Sequence, residues 1–329
     1  MANNVVLTNI DYTYPGKLSE QVLIDPAINA PDIQSLFTVR TGIAYKEQLN
    51  TAAQLGKILK GGQGCNSVVT GDPVNITNRT LETCEWEFYL EQCADVFNST
   101  ILGEVARMGF DRWNLVGNQL GKVIESLVSD SLHSDLFRTL SFGDTSSGDP
   151  YYNACDGLWT VLFAGAASYE VTAVNDNITT LSASDTAGYL LALFEGADIL
   201  LKQLPANQKA FYVTGNVYEK LMQHYEDVAA DGGFTQREEN GVLQLRYRGI
   251  PVIHFYAWDN WIDVDNLGTN VRILYTTPAN HVIGLEDGAT SAFDFWYDKA
   301  DKYNKIRGSF KLGYNYVHNK LQAISYGNI

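Results

Sequence analysis

Between residues 84 and 91 the chain alternates strictly. Cys84, Trp86, Phe88 and Leu90 interleave with Glu85, Glu87, Tyr89 and Glu91. A period of two sends successive side chains to opposite faces, so this run predicts a strand with one apolar and one acidic face. The same rhythm returns near the end, where Phe310, Leu312, Tyr314 and Tyr316 face one way and Lys311, Gly313 and Asn315 the other. Further apolar runs predict strands at Lys209–Thr214, Leu243–Arg248, Ile250–Phe255, Val271–Thr276 and Val282–Leu285.

Elsewhere the period is helical. Asp95 is placed to cap a helix running to Gly109, with Phe97, Ile101 and Val105 on one side. Leu120, Ile124, Leu127, Val128, Phe137 and Leu140 predict a longer helix of about six turns, beginning near Gly117. Ser182 and Asp185 form a capping-box pattern before Leu190, Leu193, Phe194, Ala197, Leu200, Leu201 and Leu204, and Pro205 stops that run. Leu158–Phe163 is an apolar segment opening a new unit, and Val217, Leu221 and Tyr225 mark a helix from about Asn216. Strand and helix thus alternate through the second half.

The start of the chain is different. Pro15, Gly16, Pro26 and Pro31 punctuate residues 1–42, whose apolar residues keep no sustained period, so this stretch reads as an extended arm lying on another surface. Asp32–Val39 is a short helix or strand within it. Residues 43–92 read as a two-stranded excursion with a glycine-rich tip (Gly61, Gly62, Gly64, Gly71). A hairpin of that length is marginal alone and needs a surface to rest on.

Composition narrows the function. Hydrophobic residues make up 45% of the 329, enough for a substantial core, and the formal charge is −15. A dedicated nucleic-acid binder usually carries a basic footprint; a container need not grip what it holds. Cys65, Cys84, Cys93 and Cys155 form no CxxC pair, so the expectation is reduced, partly buried thiols. Met1–Val5 has neither the basic start nor the apolar core of a signal peptide, and no apolar run approaches the ~20 residues of a membrane span. A soluble protein maturing in a reducing cytoplasm is expected, and Asn-x-Ser/Thr triplets at Asn75, Asn78, Asn98 and Asn177 then carry no glycan.

Catalytic signatures are missing. There is no HExxH, GxSxG or Walker loop; Gly143–Asp149 has Walker-like glycines without the lysine. His133, His224, His254, His281 and His318 are dispersed, although His254 and His281 lie in or beside predicted strands that could meet. Asp259, Asn260, Asp263, Asp265 and Asn266 invite a calcium-loop reading, but Leu267 and Leu274 stand where that loop needs ligands, so a solvated loop between strands is expected. Neither a metal nor a cofactor is expected. Asp294 and Asp298 leave a carboxylate hydrolase open, and 14 Phe, 19 Tyr and 6 Trp leave open a small-molecule or glycan-binding α/β protein.

The order of these elements resembles the major capsid proteins of tailed bacteriophages, an α+β architecture of the Hong Kong 97-type capsid fold. The closest motifs are Arg248–Ile253, where a Gly249 turn feeds a strand, and Thr276–Asn280 followed by Gly284. The resemblance implies an N-terminal arm at 1–42, an extended loop at 43–92, and a peripheral domain at 93–150 plus 291–329 with a long spine helix at about 117–140. It places an axial domain at 151–290. It implies a virion protein, assembled in the host cytoplasm, whose hexamers and pentamers build an icosahedral head around double-stranded DNA without sequence-specific binding. Only 42 residues precede the loop, so a separate scaffold protein, or none, is implied, alongside a portal and possible decoration proteins. Lys57 and Lys60 near the loop tip are read as ordinary surface lysines rather than crosslinking ones. An encapsulin-type nanocompartment shell shares the fold and is the second reading.

Within such a shell the extended loop of one subunit lies over its neighbour. Glu85, Glu87 and Glu91 are then expected to oppose Lys299, Lys302, Lys305 and Arg307 of the next subunit, with Trp86 and Phe88 as apolar anchors. On that reading Trp86→Ala blocks assembly and leaves a folded subunit.

Overall fold

A computed structural model of the chain describes residues 31–52, 76–93, 119–228, 234–239, 242–286 and 292–327. The helix expected at 95–109, the tip glycines, Lys57, Lys60 and the first thirty residues of the expected arm lie outside these.

Two sheets organise the described residues. The first is built from β1 (Thr38–Arg40), β11 (His281–Leu285), β13 (Tyr303–Tyr316) and β12 (Ala292–Asp298), in that order, with β4 (Cys84–Gln92) also paired to β13. The second has seven strands. Its order is β5 (Thr172–Ala173), β14 (Gln322–Tyr326), β10 (Arg272–Thr276), β6 (Ala210–Thr214), β9 (Ile250–Phe255), β8 (Val242–Tyr247) and β7 (Phe234–Glu239). A separate two-stranded ribbon joins β2 (Lys46–Ala52) to β3 (Ile76–Glu82).

The seven-stranded sheet is covered on both faces, which explains its unbroken apolar runs. Alternate residues serve two cores. Ala210, Tyr212, Leu274 and Ile324 join one; Phe211, Val213, Ile273, Tyr275 and Ala323 join the other. The second core is closed by α4 (Ala183–Gly196), α5 (Ile199–Gln203) and α6 (Gly215–Val228) through Leu190, Leu193, Leu201, Val217 and Leu221. Phe211 stacks on Tyr275 within it, with ring centroids 4.4 Å apart. The first core is the larger. It joins α1 (Pro31–Leu36), α2 (Gln119–Phe142), α3 (Leu158–Ala167) and α7 (Tyr256–Asp265) to both sheets.

The helix ends follow their sequence signals. Ser182 Oγ accepts from Asp185 N at 3.2 Å, the cap that the Ser182/Asp185 pattern predicts. Asp198 caps α5 in the same way, accepting from Leu200 N at 2.9 Å. Arg248 (φ 50°) and Gly249 (φ 80°) are both left-handed, the geometry a two-residue hairpin turn between β8 and β9 requires.

Five expectations change. Residues 31–40 of the expected arm fold onto the chain's own body: Ile33, Leu36 and Phe37, at helical spacing, are buried, and Tyr212 Oη donates to the Ser35 carbonyl. Leu127 of α2 is exposed, while Ile124, Val128, Phe137 and Leu140 are buried as expected. The acidic stretch after Asp259 is helix α7 rather than a loop, because Trp258 and Ile262 repeat at a helical interval and fill the core. Asp259 itself turns to the start of α6 and accepts from the Gly215 and Asn216 amides, a site where the helix dipole favours a carboxylate.

The fourth change concerns boundaries. β11, expected in the 151–290 unit, belongs to the sheet of β13; β14, expected with the 291–329 segment, belongs to the seven-stranded sheet. After β10 the chain therefore crosses between the sheets twice. Asn280 clamps both crossings: its Nδ2 donates to Gln322 Oε1 at 3.1 Å, and its Oδ1 accepts from His318 N at 2.8 Å.

Fifth, Cys84 and Cys155, 71 positions apart in sequence, form a disulfide with Cα atoms 5.9 Å apart. Pairing β4 to β13 brings Cys84 opposite Leu312, beside the loop that carries Cys155. Cys93 is a free, half-buried thiol.

Candidate functional site

Within one chain the acidic strand and the basic hairpin lie side by side. β4 runs antiparallel to β13, with Trp86 opposite Phe310, Glu85 opposite Lys311 and Cys84 opposite Leu312. β12 and β13 form the hairpin beside it, turning at Lys299–Lys302, where Lys302 is left-handed (φ 57°). Alternation holds through Phe88: Trp86 and Phe88 are half-buried against the larger core, Glu85 and Glu87 exposed. It then lapses, with Leu90 exposed and Glu91 half-buried.

Opposite charges pair along this contact, within one chain. Arg307 Nη2 lies 3.3 Å from Glu87 Oε2, both side chains well exposed. Lys305 Nζ lies 2.7 Å from Asp298 Oδ2, 2.9 Å from Asp301 Oδ2 and 4.0 Å from Glu91 Oε1. Its hydrogen bond to Asp298 holds the Lys305 ammonium pKa above the ordinary lysine range and the Asp298 carboxyl below its own. Phe88 packs on Phe293 (centroids 6.5 Å) and Tyr89 on Trp296 (6.3 Å). Trp86, Phe88, Glu87, Glu91, Lys305 and Arg307, expected to face a neighbouring subunit, make these contacts within one chain. A strand that hydrogen-bonds its own sheet satisfies its charges there first. Glu85, Lys299 and Lys302 are exposed and form no ion pair among the described residues.

The ribbon rests on the same sheet through residues that the sequence reading did not single out. Arg79 pairs with Glu170 and lies over the Tyr316 ring, 4.0 Å from its centroid. Asn315 Nδ2 donates to the Thr80 carbonyl at 2.8 Å, and Leu49 and Leu81 pack with Ile43 and Val282. Tyr316 was visible as an apolar strand position; its ion-pair neighbours, far apart in sequence, had no local signal.

His254 and His281 have separate partners. His254 stacks on Tyr218 at 4.0 Å in the seven-stranded sheet. His281 is fully buried, Nδ1 2.7 Å from Tyr314 Oη and Nε2 2.9 Å from Thr276 Oγ1. Burial pushes the His281 imidazole pKa down to about 3. Asp294 is half-buried and Asp298 is tied to Lys305, with no nucleophile motif beside them. Among the described residues no cluster of His, Cys, Asp and Glu is placed to hold a metal ion, and no helix is long and apolar enough to cross a membrane.

No family model matches the chain, and no curated protein matches it by sequence. Solved structures do match it in shape. A chain of the satellite phage P4 procapsid superposes with a TM-score of 0.59 at 9% identity, covering 94% of this chain and 98% of its own. The capsid of an empty GTA particle gives 0.55 at 11% identity, covering 98% and 96%. Mycobacterium phage Adephagia gives 0.53 at 12% identity, covering 90% and 89%.

The chain has the fold of phage capsid proteins. The match covers nearly the full length of both partners rather than one common motif. In this capsid fold the β2–β3 ribbon is anchored at its root by Leu49, Leu81 and Arg79, while the strand that follows it, β4, is stitched to β13 by hydrogen bonds and the Cys84–Cys155 link.

Proposed function

We propose that this chain is a major capsid protein that self-assembles into the hexamers and pentamers of an icosahedral phage head enclosing double-stranded DNA. The observation that carries this reading is the end-to-end match to capsid chains at negligible sequence identity. At such identity a shared fold reflects a shared arrangement of elements rather than copied residues. The role is structural and non-catalytic, and its location is the virion after assembly in a host cytoplasm. Scaffold, portal and decoration proteins are the partners expected of such a shell.

Two features support the mechanism. A two-stranded ribbon is marginal by itself, and beyond its root this one has no third strand among the described residues. Exposed Glu85 and the exposed hairpin turn bearing Lys299 and Lys302 are complementary charges left over after the pairs within the chain are made. We assign these three, rather than the buried anchors, to register between neighbours, with modest net energy. Head-to-tail contacts of this kind close into rings. The net charge of −15 suits an inner wall along which packaged DNA slides without sequence-specific binding.

Light scattering on the purified chain, followed by negative-stain imaging, tests the reading. Closed particles of uniform size support it; a monodisperse species of 36.5 kDa at every concentration contradicts it.

A further inference from the structure

The Cys84–Cys155 link joins the start of β4 to the loop between α2 and α3. Each of its ends is positioned by contacts that do not need the bond. On the loop side, Gly157 N donates to the Gly143 carbonyl and Gly143 N to the Thr139 carbonyl, both at 2.8 Å, which draws the ends of the loop together. A Cβ on Gly157 would lie 2.6 Å from Gly143 N, so the approach needs glycine. Within the loop, Asp156 Oδ1 accepts from Thr145 N and Thr145 Oγ1, each at 2.8 Å. On the strand side, Thr83 N donates to the Tyr45 carbonyl at 2.9 Å, and Cys84 stands opposite Leu312 on β13. Two cysteines on separately fixed backbones thus meet at a Cα spacing of 5.9 Å, which suits a disulfide.

The reduced pair fits the same place. Cys155 Sγ lies 3.6 Å from the Leu312 carbonyl oxygen, an acceptor for its thiol. Neither cysteine is sealed in a core, since both are half-buried. Access is one of the factors that set how fast a disulfide exchanges with small thiols. β4 meanwhile is an edge strand, with β13 its one sheet neighbour among the described residues. Its anchors Trp86 and Phe88 are half-buried, and its Glu87–Arg307 pair is exposed, where an ion pair contributes little. Of the holds on this strand, the disulfide alone is covalent and alone responds to redox conditions.

We infer that Cys84–Cys155 is a redox-operated latch on β4. As a dithiol it leaves the strand free to part from β13 while the rest of the subunit stays folded; as a disulfide it holds the strand on its own body. A low-molecular-weight disulfide such as oxidised glutathione closes it. One cysteine thiolate attacks a glutathione sulfur, forming a mixed disulfide and releasing one glutathione thiolate. The other cysteine thiolate then attacks the protein sulfur of that mixed disulfide and releases the second. The two cysteines lose two electrons and two protons, and oxidised glutathione becomes two glutathione thiols. The inference takes only its timing from the shell reading: the dithiol belongs to assembly in a reducing cytoplasm, the disulfide to the particle outside it.

Two measurements on the unmodified full chain, without denaturant, test it. In the first, dithiol and disulfide forms are held in the same glutathione redox buffer, alkylated and analysed by mass spectrometry. Both should reach the same mixture within hours. A disulfide that millimolar reduced glutathione leaves intact, or a dithiol that closes only after unfolding, would overturn the inference. In the second, amide hydrogen exchange of the two forms is compared over seconds to minutes. Peptides spanning residues 84–92 should exchange at least about tenfold faster in the dithiol, whereas those of β6 and β10 stay protected in both. Equal exchange of β4 in the two forms, or loosening of every strand together, contradicts a latch. Light scattering reads the shell separately: a chain that stays monomeric yet shows redox-dependent exchange in β4 sinks the shell reading and keeps the latch.

Discussion

Gly284 and Gly313 stand directly opposite each other on β11 and β13, and the chain at Leu81–Thr83 passes over the pair. Both are glycine for want of room. A Cβ on Gly313 would lie 2.8 Å from the Glu82 carbonyl carbon and 3.0 Å from Thr83 Cα, and closer still to the carbonyl oxygen. On Gly284 the nearest atoms are side-chain ends, Leu81 Cδ2 at 3.0 Å and Ile43 Cδ1 at 3.1 Å. Backbone cannot yield as side-chain tips do. Gly313→Ala should therefore destabilise the fold by about 3 kcal/mol and Gly284→Ala by about 1 kcal/mol, within the range of overpacking. Urea denaturation of the two variants checks the order; equal losses would mean the ribbon does not cross here.

Trp86 separates cohesion within a chain from cohesion between chains. It packs against its own core while half exposed, so Trp86→Ala should lower unfolding free energy by about 2 kcal/mol, below the range for fully buried aromatics. Reversing the exposed Glu87–Arg307 pair should change stability by less than about 1 kcal/mol and leave assembly intact. A Trp86→Ala chain of undiminished stability that no longer assembles would restore Trp86 to a neighbour's surface.

Much of this surface was legible in the sequence, and the limits are instructive. Alternation at residues 84–88 and 310–316 identified both strands and their charge match, because period two is local information. Which copy of the chain supplies each strand is not local, so Glu87 and Arg307 read equally well as partners within or between subunits. The α7 helix was hidden because Asn260, Asp263 and Asp265 dominate its exposed side, while only Trp258 and Ile262 mark the buried one. The sheet membership of β11 and β14 was hidden because the chain changes sheets twice after β10, and the residue that binds those crossings, Asn280, sits in a Thr-Thr-Pro-Ala-Asn turn that reads as an ordinary loop. Leu158–Phe163 read as an apolar segment, and nothing marked Arg272, which lies among the Phe142, Trp159 and Phe163 rings, as buried.

The Cys84–Cys155 link closes 71 residues, for which the chain-entropy model gives roughly 4 kcal/mol of stabilisation. Cys84→Ser with Cys155→Ser, or a reductant, should lower the denaturation midpoint accordingly. Mass spectrometry of the alkylated intact chain checks the bond itself. Two extra alkyl groups after reduction are expected; the same number before and after would show free thiols.

His281 makes stability depend on pH. Its folded pKa, about 3, lies below the unfolded value of about 6.5, so between these limits the unfolded chain binds the extra proton. Stability from this residue is complete above about pH 6.5 and falls by up to about 1.4 kcal/mol per pH unit as acid is added. Proton NMR is the direct check. The His281 ring signals should not move between about pH 8 and pH 5, the range in which a solvent-exposed histidine titrates; a midpoint near 6.5 would contradict its burial with Tyr314 and Thr276.

Cryo-electron microscopy of particles formed by the purified full chain tests the central claim most directly. Closed shells are expected whose rings of five and six copies each show this fold, with the ribbon of one copy reaching the next and Glu85 near a neighbour's Lys299 or Lys302. Solitary subunits, or an open filament in which no ring closes, would contradict it.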